Sequence, residues 1–327
     1  MEGTVVRNTG STYEVEFPDG TLLQCKLKGN FRIKGIRTTN PVAVGDRVEV
    51  LLPEGRAETA PQASGPQGAE EFGFITGILP RRNYMIRKAS NLSKESHILA
   101  ANIDSTLLVA TLRDPETPLT FIDRFLATAE AYIVPAILVL NKADTWDESD
   151  RELAEAVKYL YESIGYPVVF TSTVSGEGLD SLREKEVGQR TLLAGNSGVG
   201  KSSLINALIP GLNLKTHRIS DIHHTGTHTT TFSQMNKLPG PQGGELIDIP
   251  GVKGFGTIDF DPAEVSHYFP EIFRESKGCR YSNCTHTHEP GCAVRQALDD
   301  QRISQSRYAS YLSIMADTSE GKYRKPF

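Results

Sequence analysis

GNSGVGKSS, residues 195 to 203, is the stretch of this sequence that decides the fold. It matches the phosphate-binding pattern G-x-x-x-x-G-K-[ST], with an apolar strand-like run before it and a helix-like run after it. In that setting the glycines let backbone N–H groups curl around phosphate oxygens, Lys201 supplies positive charge and Ser202 offers a hydroxyl to Mg²⁺. A glycine-rich turn with an incidental lysine would not explain the flanking strand and helix. The predicted nucleotide contacts are Gly195, Asn196, Ser197, Gly198, Val199, Gly200, Lys201, Ser202 and Ser203.

A second motif, upstream of the first, predicts which base is bound. Residues 136 to 140 form an apolar run with strand character, and Asn141, Lys142, Ala143 and Asp144 follow it in the pattern N-K-x-D. The Asp144 carboxylate can accept hydrogen bonds from both the ring N–H and the exocyclic amine of guanine, and adenine offers no such pair. A four-residue match on a surface turn can arise by chance, but together with the phosphate loop it predicts a site for GTP and GDP.

Three weaker segments complete the expected site. Residues 167 to 178 resemble the strand and serine-containing turn that back the guanine. The stretch HTTT offers hydroxyls for a first switch, although three threonines are also ordinary edge-strand material. A strand ending in D-x-P-G offers a carboxylate that holds Mg²⁺ through water and a glycine N–H for the γ-phosphate. The residues concerned are Ser172, Thr173, Thr229, Thr230, Asp248 and Gly251, and the last four join Lys201 and Ser202 as the predicted catalytic set.

Cysteine and histidine residues crowd into one segment near the C-terminus, in the pattern C-x₄-C-x-H-x₅-C. Three thiolates and one imidazole form a closed tetrahedral set for a structural Zn²⁺, and free cysteines in a small core are the alternative. The residues from about 270 to 292 include few large apolar side chains, so we expect the metal to order them. The predicted ligands are Cys279, Cys284, Cys292 and either His286 or His288.

The order of the motifs is also informative. The guanine motif precedes the phosphate loop, and both switches follow the phosphate loop. The central domain is therefore circularly permuted. From residue 1 to about 316 the chain resembles the ribosome-small-subunit-dependent GTPase A family, through the permuted motifs, GNSGVGKSSLIN, the HTTT switch and the cysteine-histidine cluster. The resemblance implies a GTPase that binds the small ribosomal subunit and its rRNA, and that assists late maturation of the subunit. It also places the metal-binding histidine at His286.

Composition bears on the location of the protein and on how it could bind RNA. No basic segment followed by an apolar stretch opens the chain, and no apolar run approaches the roughly 18 residues of a membrane helix. We expect a cytoplasmic monomer. The net charge of −5 argues against coating RNA by bulk charge, so RNA contacts must use local patches such as the basic residues of 24 to 45 and 81 to 94. A solvated basic face is the alternative for both segments.

Strand and helix patterns divide the chain into three domains. Five short strands within residues 1–80 predict a compact β-barrel of the OB type, with residues 53 to 68 inserted as a polar hairpin tip. Residues 81–261 alternate between strands and helices, which predicts a doubly wound α/β GTPase domain. Residues 262–327 carry the cysteines and two helical stretches, 293 to 300 and 303 to 315, and form the predicted zinc-binding helical module.

Two functions fit this arrangement. The first is a GTPase whose turnover the small ribosomal subunit stimulates, and the alternative is a nucleotide-gated RNA-binding scaffold that barely hydrolyses GTP. Many GTPases orient the attacking water with a Gln after the second-switch glycine, but here Val252 follows Gly251. An aliphatic side chain neither donates nor accepts a hydrogen bond, so both functions predict slow hydrolysis by the isolated chain.

Overall fold

The computed structural model describes residues 1–28, 41–52, 72–88, 96–186, 189–214, 233–239, 243–249 and 260–319. The strands are β1 (Glu2–Asn8), β2 (Tyr13–Glu16), β3 (Leu22–Leu27), β4 (Arg47–Leu51), β5 (Gly73–Ile78), β6 (Tyr84–Lys88), β7 (Ser96–Ala101), β8 (Ser105–Ala110), β9 (Ala136–Asn141), β10 (Val168–Thr171), β11 (Arg190–Gly195), β12 (Ser233–Lys237) and β13 (Glu245–Asp248). The helices are α1 (Leu119–Ala131), α2 (Glu148–Ile164), α3 (Leu179–Glu186), α4 (Lys201–Leu208), α5 (Pro270–Ser276), α6 (Ala293–Asp299) and α7 (Gln305–Ser319), with short 3-10 helices at Ala143–Thr145 and Val265–Tyr268. Within the described part of the chain, no helix is long and apolar enough to cross a bilayer.

Strands β1 to β5 close into a barrel. β1 pairs antiparallel with β2 and β4, β2 with β3, and β4 with β5, while β3 runs parallel to β5 and completes the ring. Alternate residues of each strand point inward, because the side-chain period of a strand is two. The inward set includes the fully buried Val5, Val15, Cys25, Val48 and Ile75. The predicted N-terminal barrel is confirmed, and Cys25 is part of its core.

The central sheet has the strand order β10-β9-β8-β11-β13-β12, and all neighbours are parallel except β12 and β13. All six residues of β8 are buried, as expected for a strand that helices cover on both faces. One apolar cluster includes Phe125 of α1 and Tyr161 of α2, and a second includes Leu182 of α3 and Leu204 of α4. The predicted α/β domain is confirmed, with β11, which leads into the phosphate loop, near the middle of the sheet.

The barrel and the central sheet are hydrogen-bonded to each other. β1 pairs antiparallel with β12, so that Arg7 lies opposite Gln234 and Asn8 opposite Ser233, and the two sheets are continuous. The antiparallel hairpin of β6 and β7, which the sequence patterns do not predict, lies between them in the chain. The barrel therefore contacts β12, the strand that leads out of the predicted first switch.

Two cations of the basic segments are paired with carboxylates. Arg81 pairs with the buried Asp46 at 2.6 Å, and Arg82 pairs with Asp104 at 2.5 Å, so neither contributes a free charge. Lys26 and Lys28 are exposed on the barrel. The insertion at 53–68 lies outside the described residues, as do the side chains of the remaining cations of the two segments.

Helices α5, α6 and α7 form the C-terminal module, which packs against α1 of the central domain. Phe269 and Ile272 are fully buried in a cluster that includes Ala127 of α1. The segment from about 270 to 292 thus begins on this cluster, with Ile272 buried in it. Further along, Phe273 and Tyr281 are 41% and 40% exposed, and the role of a metal in ordering the segment stays a prediction.

A buried ion network fixes this module to the central domain. Arg307 of α7 is fully buried, and its guanidinium donates to Asp123 Oδ1 of α1 at 2.8 Å and to Glu271 Oε1 of α5 at 2.7 Å. Tyr161 of α2 donates to the same Asp123 oxygen at 2.7 Å. Burial lowers the pKa of Arg307, but Glu271 and Asp123 outweigh it, so the net shift is upward. The network holds four helices in one arrangement.

Candidate nucleotide and metal sites

The phosphate loop connects β11 to α4 and needs glycine at two positions. Gly195 ends β11 with φ +146°, and a Cβ there would lie 2.3 Å from the backbone oxygen of Val109. Gly200 precedes α4 with φ +95°, and a Cβ there would lie 2.4 Å from Asn141 Nδ2. Any side chain at either glycine would push the loop away from the neighbouring strands.

Lys201 opens α4 with its side chain folded back into the loop. Its ammonium donates to the carbonyls of Gly195 at 2.9 Å and Asn196 at 2.8 Å, and the residue is 7% exposed. Burial lowers the pKa of Lys201 to about 8, against the opposing effect of the Asp248 carboxylate. The charge thus lies inside the curl of backbone, where phosphate oxygens would be placed. Asn196, Ser197, Gly198, Ser202 and Ser203 are half-buried, and Val199 is buried.

The guanine motif is bonded directly to the phosphate loop. Asn141 ends β9, its side-chain amide donates to the carbonyl of Val199 at 2.8 Å, and its amide oxygen accepts from Thr171 of β10 at 2.9 Å. Lys142 adopts φ +68° and its ammonium bonds to the carbonyl of Asp114. Ala143 is buried beneath them. Two motifs separated in sequence are therefore joined into one structural unit.

The exposed Asp144 meets the predicted guanine-backing turn. Its Oδ1 accepts a hydrogen bond from the Ser172 hydroxyl at 2.5 Å. The same hydroxyl oxygen accepts from the backbone N–H groups of Val174 at 3.1 Å and Ser175 at 3.0 Å, while Thr173 is half-buried. The arrangement leaves the Asp144 carboxylate at the surface with one of its oxygens oriented by Ser172.

Asp248 is the one described residue of the predicted switch set. It ends β13 and is 2% exposed, opposite Leu193 of the parallel β11. Its position two strand residues below the phosphate loop puts its charge within reach of Lys201, whose pKa it raises. Thr229, Thr230 and Gly251 lie outside the described residues, as does Val252.

The four predicted metal ligands come together in the C-terminal module. The sulfurs of Cys279, Cys284 and Cys292 and a ring nitrogen of His286 all lie within 4.8 Å of one another. His286 Nδ1 is 3.6 Å from Cys279 Sγ and 3.5 Å from Cys292 Sγ, and those two sulfurs are 3.9 Å apart. Zn–S bonds of about 2.3 Å and a Zn–N bond of about 2.0 Å at tetrahedral angles give separations of roughly 3.5 to 3.8 Å. The cluster is therefore compatible with one zinc ion.

His286 and His288 differ in a way that favours the first as a ligand. His286 is 2% exposed, and burial lowers its pKa, which favours the neutral ring that binds metal. His288 is exposed, and its Nδ1 hydrogen-bonds to the Thr287 hydroxyl at 2.8 Å. The structure places only His286 among the sulfurs.

Three residues that were not predicted from the sequence hold the metal-binding loop. Glu289 accepts from the backbone N–H groups of Thr285 at 2.7 Å and Thr287 at 3.1 Å, around the positive φ of His286. Tyr308 and Tyr311 of α7 donate to the carbonyls of His286 and Thr285 at 2.6 and 2.8 Å. The tyrosines stand three residues apart on one helix face, which is the signal that could have identified them.

Comparison with known proteins gives full-length matches. Residues 78–258 match the RsgA GTPase family, and residues 2–57 match the RsgA N-terminal domain. Proteins called small ribosomal subunit biogenesis GTPase RsgA are 54% identical over 327 residues in Bacteroides fragilis and 57% identical over 328 residues in Porphyromonas gingivalis. Both alignments cover 100% of this chain and of the relative.

Two solved structures share the architecture. The crystal structure of YjeQ from Thermotoga maritima is 33% identical, has a TM-score of 0.72 and covers 97% of this chain and 98% of its own. The structure of YloQ, a circularly permuted GTPase, is 25% identical, has a TM-score of 0.67 and covers 99% and 96% of the two chains. The likeness thus includes the permuted order of the motifs.

Proposed function

Because the chain belongs to the RsgA GTPase family and is a GTP hydrolase, we propose that the small ribosomal subunit stimulates its turnover and that it assists late maturation of that subunit. The observation that carries the guanine-nucleotide site is the hydrogen bond from Asn141 to the carbonyl of Val199, since it joins the guanine motif to the phosphate loop. The small subunit as partner rests on the names of the full-length relatives.

In this proposal GTP and GDP lie along residues 195 to 203, with the base against Asp144 and the turn of Ser172 and Thr173. Lys201 neutralises the terminal phosphates and the Ser202 hydroxyl binds Mg²⁺, which Asp248 holds through water. Thr229 or Thr230 completes the Mg²⁺ and γ-phosphate contacts, and the Gly251 N–H bonds to the γ-phosphate. Mg²⁺ supplies charge neutralisation for phosphoryl transfer to water.

A zinc ion held by the Cys279, Cys284, His286 and Cys292 side chains has a structural role in this proposal. Four protein ligands leave no open coordination position, so such a site orders the loop rather than activating water. The separations of the ligand atoms support the assignment.

The barrel and the zinc module are proposed to contact rRNA from either side of the GTPase domain. The proposed domains are residues 1–80, 81–261 and 262–327. The chain is proposed to act as a cytoplasmic monomer without a membrane partner. Lys26 and Lys28 are exposed cations that the barrel offers to phosphate groups.

Cosedimentation with purified ribosomal subunits tests the partner. The chain should pellet with small subunits in the presence of a non-hydrolysable GTP analogue, pellet less with GDP, and not pellet with large subunits. Equal sedimentation with both subunits, or none with either, would refute the small subunit as the specific partner.

A further inference from the structure

We propose that Arg151 is a positioning residue for the guanine site, which holds the loop of residues 172–178 against the guanine motif and so sets the affinity for guanine nucleotides. This inference rests on the proposed function, because that function assigns Asp144 to the guanine base. Arg151 lies in the first turns of α2 and belongs to neither the guanine motif nor the turn that backs it.

The loop is folded around Ser172, the residue that contacts Asp144. The Ser172 N–H donates to the carbonyl of Glu177 at 3.0 Å, and the Gly176 N–H donates to the carbonyl of Ser172 at 3.0 Å. Gly178 closes the turn with φ +72°, and a Cβ there would lie 1.9 Å from the backbone oxygen of Phe170. A shift of residue 177 would therefore move the Ser172 hydroxyl and, through it, the Asp144 carboxylate.

The Arg151 guanidinium binds this loop at Glu177. Its Nη1 donates to Glu177 Oε1 at 3.0 Å and its Nη2 to Glu177 Oε2 at 3.5 Å, so both ends of the fork meet the carboxylate. Such fork-to-fork pairing fixes direction as well as distance. A lysine in the same place would keep the charge and lose this geometry.

The guanidinium also packs on two aromatic rings. Its central carbon lies 5.0 Å from the Trp146 ring centroid and 5.9 Å from that of Phe170. The two rings meet edge to face, with centroids 5.2 Å apart and planes at 83°. Trp146 lies two residues after Asp144, and Phe170 is in β10, which leads into the loop. Arg151 thus contacts the segment that follows the guanine motif, β10 and the loop at the same time.

Because the Arg151–Glu177 pair is exposed, its effect on nucleotide affinity can be distinguished from an effect on the stability of the whole chain. The side chains of Arg151 and Glu177 are 43% and 38% exposed, and exposed pairs contribute little to the free energy of unfolding. What the pair changes is the conformation of a loop at a binding site. Loss of Arg151 should therefore be seen in nucleotide affinity and hardly at all in stability.

The test compares variants by calorimetric titration with GDP. Arg151→Ala should raise the Kd about three- to tenfold, the scale of one exposed ion pair with a cation–π contact. Glu177→Gln should give a similar increase, and the double variant should add little to either, because both remove one interaction. Arg151→Lys should recover only part of the affinity. Lys158→Ala is the control, since Lys158 Nζ lies 5.2 Å from the centroid of the same Phe170 ring.

Two further measurements distinguish a positioning role from a purely structural one. In GTP hydrolysis the KM should rise with the Kd while kcat stays unchanged, because the phosphate loop is not altered. Trp146 is the single tryptophan of the chain, so acrylamide quenching of its fluorescence should increase in Arg151→Ala. A Kd for Arg151→Ala equal to that of the parent, or an equal loss in Lys158→Ala, would overturn the inference. Failure of the parent to bind GDP would instead refute the proposed function.

Discussion

The Asn141 side-chain amide donates to the backbone carbonyl of Val199 at 2.8 Å, across 58 residues of chain. Asn141 is 2% exposed, so no water replaces this bond without a structural change. It makes the guanine motif and the phosphate loop a single unit. Folding thus brings the two motifs into direct contact, although they lie far apart in the permuted sequence.

Asn141→Ala removes that bond and leaves the Val199 carbonyl without its partner. The cost of an unsatisfied buried group is about 1 to 3 kcal/mol, so the Kd for GDP should rise by roughly five- to 150-fold. Asn83→Ala is the control, because the Asn83 side chain also bridges backbone, at Ile103, but away from the site. Equal Kd values for Asn141→Ala and the parent would show that the two motifs bind nucleotide independently.

Asp144→Asn should move base preference from guanine towards xanthine. An amide offers a donor where the carboxylate only accepts, and xanthine has a carbonyl where guanine has its exocyclic amine. Competition binding between GDP and XDP measures the change, with Asp180→Asn on α3 as the control, since its side chain is 92% exposed. A parent chain that binds ADP as tightly as GDP would contradict the assignment of Asp144.

Lys201 gives nucleotide binding a characteristic pH dependence. Burial lowers its pKa from 10.5 to about 8, so above pH 8 the nucleotide-free chain holds a neutral amine. Phosphate oxygens favour the ammonium, and binding must then take up a proton. GDP binding should take up little proton through Lys201 at pH 7 and most of one proton at pH 8.5. Calorimetry in buffers of different ionisation enthalpy measures the uptake, and Lys201→Arg should abolish it.

The same shift predicts a stability change of definite sign. Between pH 8 and pH 10.5 the unfolded chain binds the Lys201 proton and the folded chain does not, so the free energy of unfolding gains a contribution that increases with pH. Below pH 8 both states hold the proton and this contribution is constant. A slope of the parent curve identical to that of Lys201→Met over this range would contradict the lowered pKa.

Metal analysis of the purified chain should find about one zinc ion per molecule. Cys284→Ser should lose the metal, loosen the loop from residue 279 to 292 and weaken small-subunit binding, while GDP binding at residues 195 to 203 survives. Cys25→Ser is the matched control, because Cys25 lies in the barrel core and should keep the zinc. Absence of zinc, or unchanged subunit binding by Cys284→Ser, would remove the proposed role of the site.

Arg307→Ala should destabilise the chain by about 3 to 5 kcal/mol, because it leaves Asp123 and Glu271 buried without their cation. Arg302→Ala removes a surface pair with Glu275 and should leave the free energy of unfolding nearly unchanged, because solvent screens such a pair. Urea unfolding compares the two variants. Similar losses in both would mean that the buried network does not hold the module.

Local patterns explain which parts of the fold could be predicted. The five barrel strands and the strand ending at Asn141 have clear alternation or apolar runs bounded by turn residues, and all six are present in the structure. The hairpin of β6 and β7 was not predicted, because β6 lies within the basic segment of residues 81 to 94. Helix α2 was missed because an acidic, mostly exposed surface hides its buried positions, Ala154, Val157 and Tyr161.

In the candidate sites, too, only the residues that belong to a local sequence pattern could be predicted. Spacing alone makes Lys201, Asp144 and the cysteines candidates, because their chemistry needs fixed residue types at short intervals. Glu177 and Arg151 are 26 residues apart, and Arg307 and Asp123 are 184 apart. No local pattern relates such partners, and only the folded chain brings them together.

GTP hydrolysis measured with and without purified small ribosomal subunits tests the central claim most directly. The chain alone should turn over slowly, small subunits should increase the rate by at least about tenfold, the change that about 1.4 kcal/mol of transition-state stabilisation produces, and large subunits should not. Lys201→Ala should remain inactive under every condition. A parent rate that small subunits leave unchanged would contradict the account and favour a nucleotide-gated scaffold.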